Sequence, residues 1–160
     1  MITDTRPRRL KTAGQHALAA TALLAMTLAP TWQAQATEIQ ARRKADAVVE
    51  RLARQGSNFY TQNFSISEYG GFRDFFVFLS PGVTHDIFAS GCFDAFDVDI
   101  SLFAPRVGGG FEYVNTFDNA KPFQSIVFRP ARSGVHVVRV HLSNATFDGA
   151  HIFFTIGVRS

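Results

Sequence analysis

Apolar and polar side chains alternate strictly between residues 97 and 103. The even-numbered side chains Val98, Ile100 and Leu102 are aliphatic, whereas the odd-numbered ones are two aspartates, a serine and a phenylalanine. Successive side chains of a β-strand point to opposite faces of the sheet, so this alternation predicts a strand with one buried face. A glycine-containing, acidic turn precedes the strand and places further polar side chains beside its start.

Similar short runs recur from residue 57 to the carboxyl terminus. They are rich in phenylalanine, valine and isoleucine, and they are separated by glycine, proline, asparagine and aspartate, which favour turns. The predicted strands are residues 58–66, 72–79, 83–90, 97–104, 111–116, 124–129, 134–142 and 150–158. Because no helical pattern separates these strands, residues 57–160 are predicted to form an all-β domain, an antiparallel β-sandwich or jelly roll.

One stretch before the strands, residues 37–56, has a helical pattern. Thr37 can cap a helix that begins at Glu38, and Gly56 can end it after Arg54. The apolar stripe of this helix is thin, and it is predicted from Ile39, Ala47, Val49, Leu52 and Ala53. Such a helix can pack on the sandwich, serve as a spacer, or dock on another subunit.

Residues 1–36 have the three parts of a secretory signal peptide. A basic start from Arg6 to Lys11 precedes an apolar run at residues 17–29, and Ala34-Gln35-Ala36 matches a small-residue cleavage pattern. The alternative is a membrane anchor, but the apolar run is shorter than the roughly 20 residues that a spanning helix needs. We therefore predict a periplasmic or secreted protein with no membrane span after cleavage. The pair Arg8-Arg9 leaves both the general and the twin-arginine export routes open.

The positive charge of the chain is concentrated in that predicted signal peptide. The formal net charge is +3 and the isoelectric point is about 9.4. Four basic residues and one acidic residue lie in residues 1–36, so the remainder holds equal numbers of basic and acidic residues. We therefore expect no nucleic-acid partner.

The run from His85 to Val158 contains a series of motifs in a fixed order. The motifs are Asp97 to Leu102, Gly108 to Gly110, Asp118-Asn119, Ile126 to Pro130, and Ser133 to Val140. This series resembles the bacterial pre-peptidase C-terminal domain, a jelly-roll-like β-sandwich often appended to secreted proteases and other exported enzymes. The 124 residues after the predicted signal peptide leave room only for such a module and the helix, so we expect a free-standing copy without the peptidase that such domains commonly follow. His136 departs from the family pattern, which usually has an aromatic residue there, and would place a polar ring against the core.

Four aspartates lie close to the acidic turn or in a turn that can approach it. They are Asp94, Asp97, Asp99 and Asp118. Calcium prefers such hard oxygen ligands, and an exported protein meets calcium at concentrations that fill weak sites, so these residues are candidate calcium ligands. No other cofactor is predicted. The alternative is that solvent and the basic side chains Arg106, Lys121 or Arg129 compensate the carboxylates.

Aromatic side chains exceed what one face of a small sandwich needs. We expect the core to take Phe76, Phe78, Phe88, Phe128 and Phe154. The aromatic residues predicted to form an exposed binding surface are Tyr60, Phe103, Phe111, Tyr113 and Phe153. Exposed rings on a sheet suit the faces of sugars or the surface of a partner protein. The alternative is that the core and the docked helix absorb these rings.

The last two strands allow one further prediction about register. If they form a hairpin, Val140 lies opposite Ile152, and His141 faces His151 on the solvent side, where two imidazoles can begin a metal site. The long connection can instead carry the chain to the other sheet. Cys92, the single cysteine, has no partner for an internal disulfide and is expected to be buried.

No catalytic motif is evident in the sequence. None of the serines lies in a Gly-x-Ser-x-Gly elbow, although pairs of carboxylates for hydrolysis are set by the fold and cannot be identified from spacing. We predict an exported, non-catalytic binding module for a polysaccharide, an envelope component or a partner protein. The alternatives are a small exported hydrolase on the same scaffold and a structural accessory whose helix docks into an envelope assembly.

Overall fold

The computed structural model describes residues 38–68, 70–146 and 148–159. The predicted signal peptide and Thr37 lie outside the described residues. Helix α1 spans residues 38–54, close to its predicted bounds. The strands that follow are β1 (Phe59–Ile66), β2 (Phe72–Leu79), β3 (His85–Gly91), β4 (Ala95–Pro105), β5 (Phe111–Phe117), β6 (Phe123–Phe128), β7 (Gly134–Ala145) and β8 (Ala150–Val158).

These strands form two four-stranded antiparallel sheets within the described residues. The first sheet has the order β1-β8-β3-β6, and the second has the order β2-β7-β4-β5. The chain changes sheet at every connection except the one between β4 and β5, which is the arrangement of an eight-stranded jelly roll. The predicted all-β jelly-roll fold is therefore confirmed.

The core lies between the two sheets, on the aliphatic side of β4. Ile100 of β4 pairs with Val140 of β7, and both are fully buried. Phe154 of β8 stacks on Phe75 of β2 with ring centroids 4.1 Å apart, so aromatic packing joins the two sheets. The even-numbered side chains of residues 97–103 therefore face the core, as the sequence predicts.

Two histidines are buried at the end of the core where β3 and β7 begin. His136 donates a hydrogen bond from Nδ1 to the carbonyl of Gly134 at 3.0 Å, and its ring lies edge-on to Phe128. A polar ring therefore lies against the core, as expected at this position. Burial lowers the pKa of His85, and the nearby His136 lowers it further.

Helix α1 packs on the outer face of the first sheet. Its buried side consists of Ala41, Ala45 and Leu52. Ser90 of β3 donates a hydrogen bond to the carbonyl of Ala41 at 2.6 Å, and Arg51 pairs with buried Asp86 at 3.1 Å. Of the three arrangements considered for this helix, packing on the sandwich is the one observed.

The predicted apolar stripe of α1 is only partly correct. Leu52 is buried and Val49 is half-buried, but Ile39, Ala47 and Ala53 are exposed. The buried positions 41, 45 and 52 hold small residues and one leucine, because the helix lies close to the sheet. Small side chains carry a weak hydrophobic signal, so the stripe was assigned to the wrong side at three positions.

The predicted hairpin between the last two strands is wrong. β7 pairs with β2 and β4 in the second sheet, whereas β8 pairs with β1 and β3 in the first. The connection between them carries the chain to the other sheet, which is the alternative considered above. His141 and His151 therefore lie on different sheets and do not face each other across a pair of strands.

Among the residues that the structure describes, no helix combines the length and the hydrophobicity that crossing a membrane requires.

Candidate functional site

The outer face of the second sheet carries a group of aromatic rings, which we call the aromatic face. Its members are Phe72, Phe76 and Phe78 of β2, Phe103 of β4, and Phe111 and Tyr113 of β5. The rings of Phe76 and Phe111 lie 5.9 Å apart, and those of Phe103 and Tyr113 lie 5.8 Å apart. Rings from the two edge strands of the sheet therefore meet on one surface.

Three of the five aromatic residues predicted for a binding surface lie on this face, namely Phe103, Phe111 and Tyr113. Tyr60 is exposed but lies on β1 of the first sheet, where it lines a second cleft with His85 and with Phe78, which also belongs to the aromatic face. Phe153 is only 4% exposed. The expectation that Phe153 belongs to an exposed surface is therefore wrong, because its side chain lies on the outer side of β8 beneath α1.

The sequence assigned Phe76 and Phe78 to the core, and this assignment is also wrong. They are 65% and 67% exposed, whereas Phe75 and Leu79 of the same strand are buried. Residues 75–79 are apolar without interruption, so a period of two does not decide which side of the strand faces the core. Phe72 was missed for a simpler reason, since it lies at the start of β2 beside a polar segment.

An ion pair lies among these rings. Arg139 donates hydrogen bonds to both carboxylate oxygens of Asp74, from Nε at 2.6 Å and from Nη2 at 2.8 Å. This bidentate contact raises the pKa of Arg139 above its ordinary value. The guanidinium carbon also lies 4.0 Å from the ring centroid of Phe72 and 5.2 Å from that of Phe103, so the cation is stacked as well as paired.

A cleft of about 350 Å³ opens beside the ion pair. Its lining consists of Asp74, Phe76, Phe103, Phe111, Val137 and Arg139. Three rings and one valine make the cleft mostly apolar, and the Asp74–Arg139 pair supplies its charged groups. A cleft of this composition can accept an apolar or aromatic group and orient it by a few polar contacts.

The same outer face ends in a cluster of carboxylates, which we call the acidic corner. It consists of Asp97 and Asp99 of β4 and Asp118 of the β5–β6 connection, and one carboxylate oxygen from each lies within 4.8 Å of the other two. Asp94, the fourth predicted ligand, lies outside this group. Its carbonyl accepts a hydrogen bond from Thr146, and its carboxylate lies 3.5 Å from the sulfur of Cys92.

Burial and mutual repulsion raise the pKa values of two of these carboxylates. Desolvation is the largest cause for Asp97, followed by the charges of Asp99 and Asp118. Desolvation is also the largest cause for Asp99, while a hydrogen bond from the hydroxyl of Ser143 acts in the opposite direction. The acidic corner therefore holds negative charge in an environment that disfavours it.

The basic side chains considered as compensation do not pair with the acidic corner. In the described residues no ion pair joins Asp97, Asp99 or Asp118 to any lysine or arginine. The ammonium of Lys121 lies instead 5.9 Å from the ring centroid of Phe123. One oxygen of Asp97 and one of Asp99 are buried without a hydrogen-bond partner, so the protein leaves these two atoms unsatisfied.

A serine and a histidine form a contact beside the acidic corner. Ser101 Oγ lies 3.2 Å from Nε2 of His141 and 2.7 Å from the hydroxyl of Thr116. Ser101 is buried, and β4 pairs with strands on both sides, so the backbone amides here are engaged in the sheet. A buried hydroxyl without free neighbouring amides lacks the access and the oxyanion donors of a serine nucleophile.

Cys92 is fully buried, as expected. Lys44 of α1 lies close by and donates a hydrogen bond to the carbonyl of Gly91 at 2.8 Å. Burial lowers the pKa of Lys44, and the proximity of Cys92 acts in the opposite direction. These residues fasten α1 to the end of β3.

No protein-family model matches the chain, and no curated protein matches it. The chain is similar to the solved structure of PliG from Aeromonas hydrophila, a periplasmic lysozyme inhibitor of g-type lysozyme. The identity is 14% and the TM-score 0.49, over 66% of this chain and 90% of that chain. It is also similar to the Yersinia pseudotuberculosis-derived mitogen, at 11% identity and a TM-score of 0.47, over 65% of this chain and 87% of that chain.

The pre-peptidase C-terminal resemblance agrees with the observed β-sandwich, but membership of that family stays a prediction.

Proposed function

We propose that this chain is an exported, non-catalytic binding module that attaches to a partner protein through the aromatic face. The proposal rests on one difference between the outer faces of the two sheets, which is how far their aromatic rings are buried. Helix α1 buries rings such as Phe153 on the first sheet, whereas the second sheet leaves Phe76 and Phe78 about two-thirds exposed. Contiguous exposed apolar groups of this kind mark interaction sites on soluble proteins.

A protein partner fits this face better than a polysaccharide does. Sugar recognition needs free donors and acceptors for hydroxyl groups beside the aromatic rings. Here the principal charged groups, Asp74 and Arg139, already bond to each other, and five of the six rings are phenylalanines without a polar atom. Apolar side chains of a protein can fill the cleft beside Arg139 without breaking that pair, and aromatic residues and arginine are enriched in protein interfaces.

The two other functions considered for this chain are less well supported. A hydrolase needs an accessible nucleophile, but Ser101, which contacts His141, is only 4% exposed. A structural accessory that docks by its helix needs an exposed apolar stripe on α1. The stripe formed by Ala41, Ala45 and Leu52 is instead buried against the sheet.

The proposed location, periplasmic or secreted, rests on the signal-peptide pattern of residues 1–36. A module of this kind, similar to pre-peptidase C-terminal domains, would act after export on a secreted or envelope protein.

Photo-crosslinking in producing cells tests the proposal. The photoreactive amino acid p-benzoylphenylalanine replaces Phe76 in one variant and Val127 in a matched control, because Val127 is also exposed but lies on β6 of the first sheet. We expect a discrete crosslinked protein from position 76 and none from position 127. Phe111→Ser, a second substitution on the aromatic face made in the position-76 variant, should abolish the crosslink from position 76.

Three results would refute the assignment. They are the absence of a crosslink at position 76, equal crosslinking at position 127, and a crosslink that survives Phe111→Ser. A panel of purified polysaccharides serves as the second arm of the experiment. Polysaccharide binding that depends on Phe111 would keep the face as a binding site but replace the proposed protein partner.

A further inference from the structure

We propose that the acidic corner is a calcium site in which Asp97, Asp99 and Asp118 are the protein ligands. The site joins the first part of β4 to the β5–β6 connection. It is independent of the proposed partner, because the argument uses only the geometry and burial of these three side chains.

The spacing of the three carboxylates suits a single calcium ion. Calcium binds oxygens at about 2.3–2.6 Å, so two ligands on opposite sides of one ion lie about 5 Å apart and adjacent ligands lie closer. The three carboxylate oxygens lie within 4.8 Å of one another, so one ion can contact all of them. This geometry arises from a residue spacing of two on β4 and from a turn brought alongside by the fold.

Asp99 provides a second and independent observation. It is only 7% exposed, and its Oδ1 has no hydrogen-bond partner, while its Oδ2 accepts a hydrogen bond from Ser143. A buried carboxylate oxygen without a partner is costly, and buried charges in proteins are normally paired or bound to a metal. Asp97 also has a buried oxygen without a partner, so two unsatisfied oxygens belong to the same cluster.

The surroundings of the acidic corner hold the turn in place for a cation. Asp118 accepts a hydrogen bond from the amide of Ala120 at 3.1 Å, and Val98 donates a backbone hydrogen bond to Lys121 at 2.9 Å. The β5–β6 connection is therefore fixed beside β4 by the protein itself. Asp118 is exposed, so water molecules can complete the six to eight oxygens that calcium requires.

The choice of calcium over other metals follows from the ligands. All three are carboxylates, whereas zinc and copper sites in proteins commonly use histidine or cysteine. Magnesium demands a near-ideal octahedron of short bonds, while calcium tolerates irregular arrangements that mix carboxylates and water. An irregular cluster on a strand and a turn therefore favours calcium.

Thermal denaturation of the purified full-length protein in calcium chloride alone tests the site. Weak extracellular sites have dissociation constants on the order of 10⁻⁴–10⁻³ M, so about 10 mM calcium should raise the melting temperature by at least about 4 °C relative to EDTA. The same concentration of magnesium chloride should produce a clearly smaller shift. Isothermal titration with calcium chloride should give one ion per chain.

Substitutions distinguish a calcium site from carboxylates that merely repel one another. Asp99→Asn keeps an oxygen for Ser143 and should abolish the calcium-dependent shift in melting temperature. Asp118→Asn should strongly reduce the same shift. Because Asp118 is exposed, this second variant tests the site even if Asp99→Asn folds poorly. Asp94→Asn is the matched control, because Asp94 lies in the same stretch but outside the cluster, and it should retain the full shift.

The proposal is overturned by any of three outcomes. One is a wild-type melting temperature that calcium does not raise above the value in EDTA. Another is an equal response to magnesium and calcium. The third is a calcium response that survives both Asp99→Asn and Asp118→Asn, which would place the ion elsewhere.

Discussion

Replacement of Leu52 by alanine tests the packing of α1, which decides which outer sheet face is free to bind. Leu52 is fully buried, and it lies directly over Gly157 of β8, where a Cβ would come within 2.8 Å of Leu52 Cδ1. Leu52→Ala removes three carbons, which is about 2.4 kcal/mol at roughly 0.8 kcal/mol per buried methylene. A residual cavity adds to this loss, but a surface helix can partly settle onto the sheet. We therefore expect a loss of about 2–4 kcal/mol in the free energy of unfolding.

Urea denaturation followed by circular dichroism measures this loss. Ile39→Ala is the matched control, because Ile39 is an aliphatic residue of the same helix but is 53% exposed. Its replacement should change the free energy of unfolding by no more than about 0.5 kcal/mol. A Leu52→Ala variant as stable as the Ile39→Ala variant would refute the reasoning. The helix would then contribute little to the fold, and the first sheet could also offer a free face.

Two further substitutions test the packing of the first sheet and of the core. Gly157→Ala should destabilise the protein by about 1–3 kcal/mol in the same urea assay, because the new methyl group would overlap Leu52 and Phe59; a neutral effect would contradict the close approach of α1. His85 has a lowered pKa in the folded protein, so its contribution to stability is present above its ordinary pKa of about 6.5 and is lost as pH falls below that value. His85→Leu, which leaves His136 in place, should therefore reduce the fall in stability between about pH 7 and about pH 5, and an unchanged pH profile would argue against a buried neutral imidazole at position 85.

The fold could be predicted from the sequence because β-strands with one buried face leave a strong local pattern. The alternation at residues 97–103 identifies both β4 and the face of β4 that packs in the core. The pairing of β7 and β8 with different sheets could not be predicted in this way. Alternation is a property of one strand, and it carries no information about which strand lies beside it.

The candidate sites show the same division between local pattern and long-range arrangement. Asp97 and Asp99 could be placed on one face of one strand, but the approach of Asp118 depends on how the β5–β6 connection folds back. Phe153 could not be recognised as buried, because its cover comes from α1, more than a hundred residues earlier in the sequence. The pairing of Asp74 with Arg139 likewise depends on the register of β2 with β7.

Both proposed sites lie on the outer side of β4, but at different positions along the strand. Asp97, Asp99 and Phe103 occupy alternate positions on this side of the strand, so the acidic corner and the aromatic face belong to one surface. Four residues of a strand span about 13 Å, which places Phe103 too far from Asp99 for one small group to contact both. A cation at the acidic corner therefore acts by fastening β4 to the β5–β6 connection. The aromatic face does not need the cation as a contact, because its rings and its Asp74–Arg139 pair are already held by the sheet.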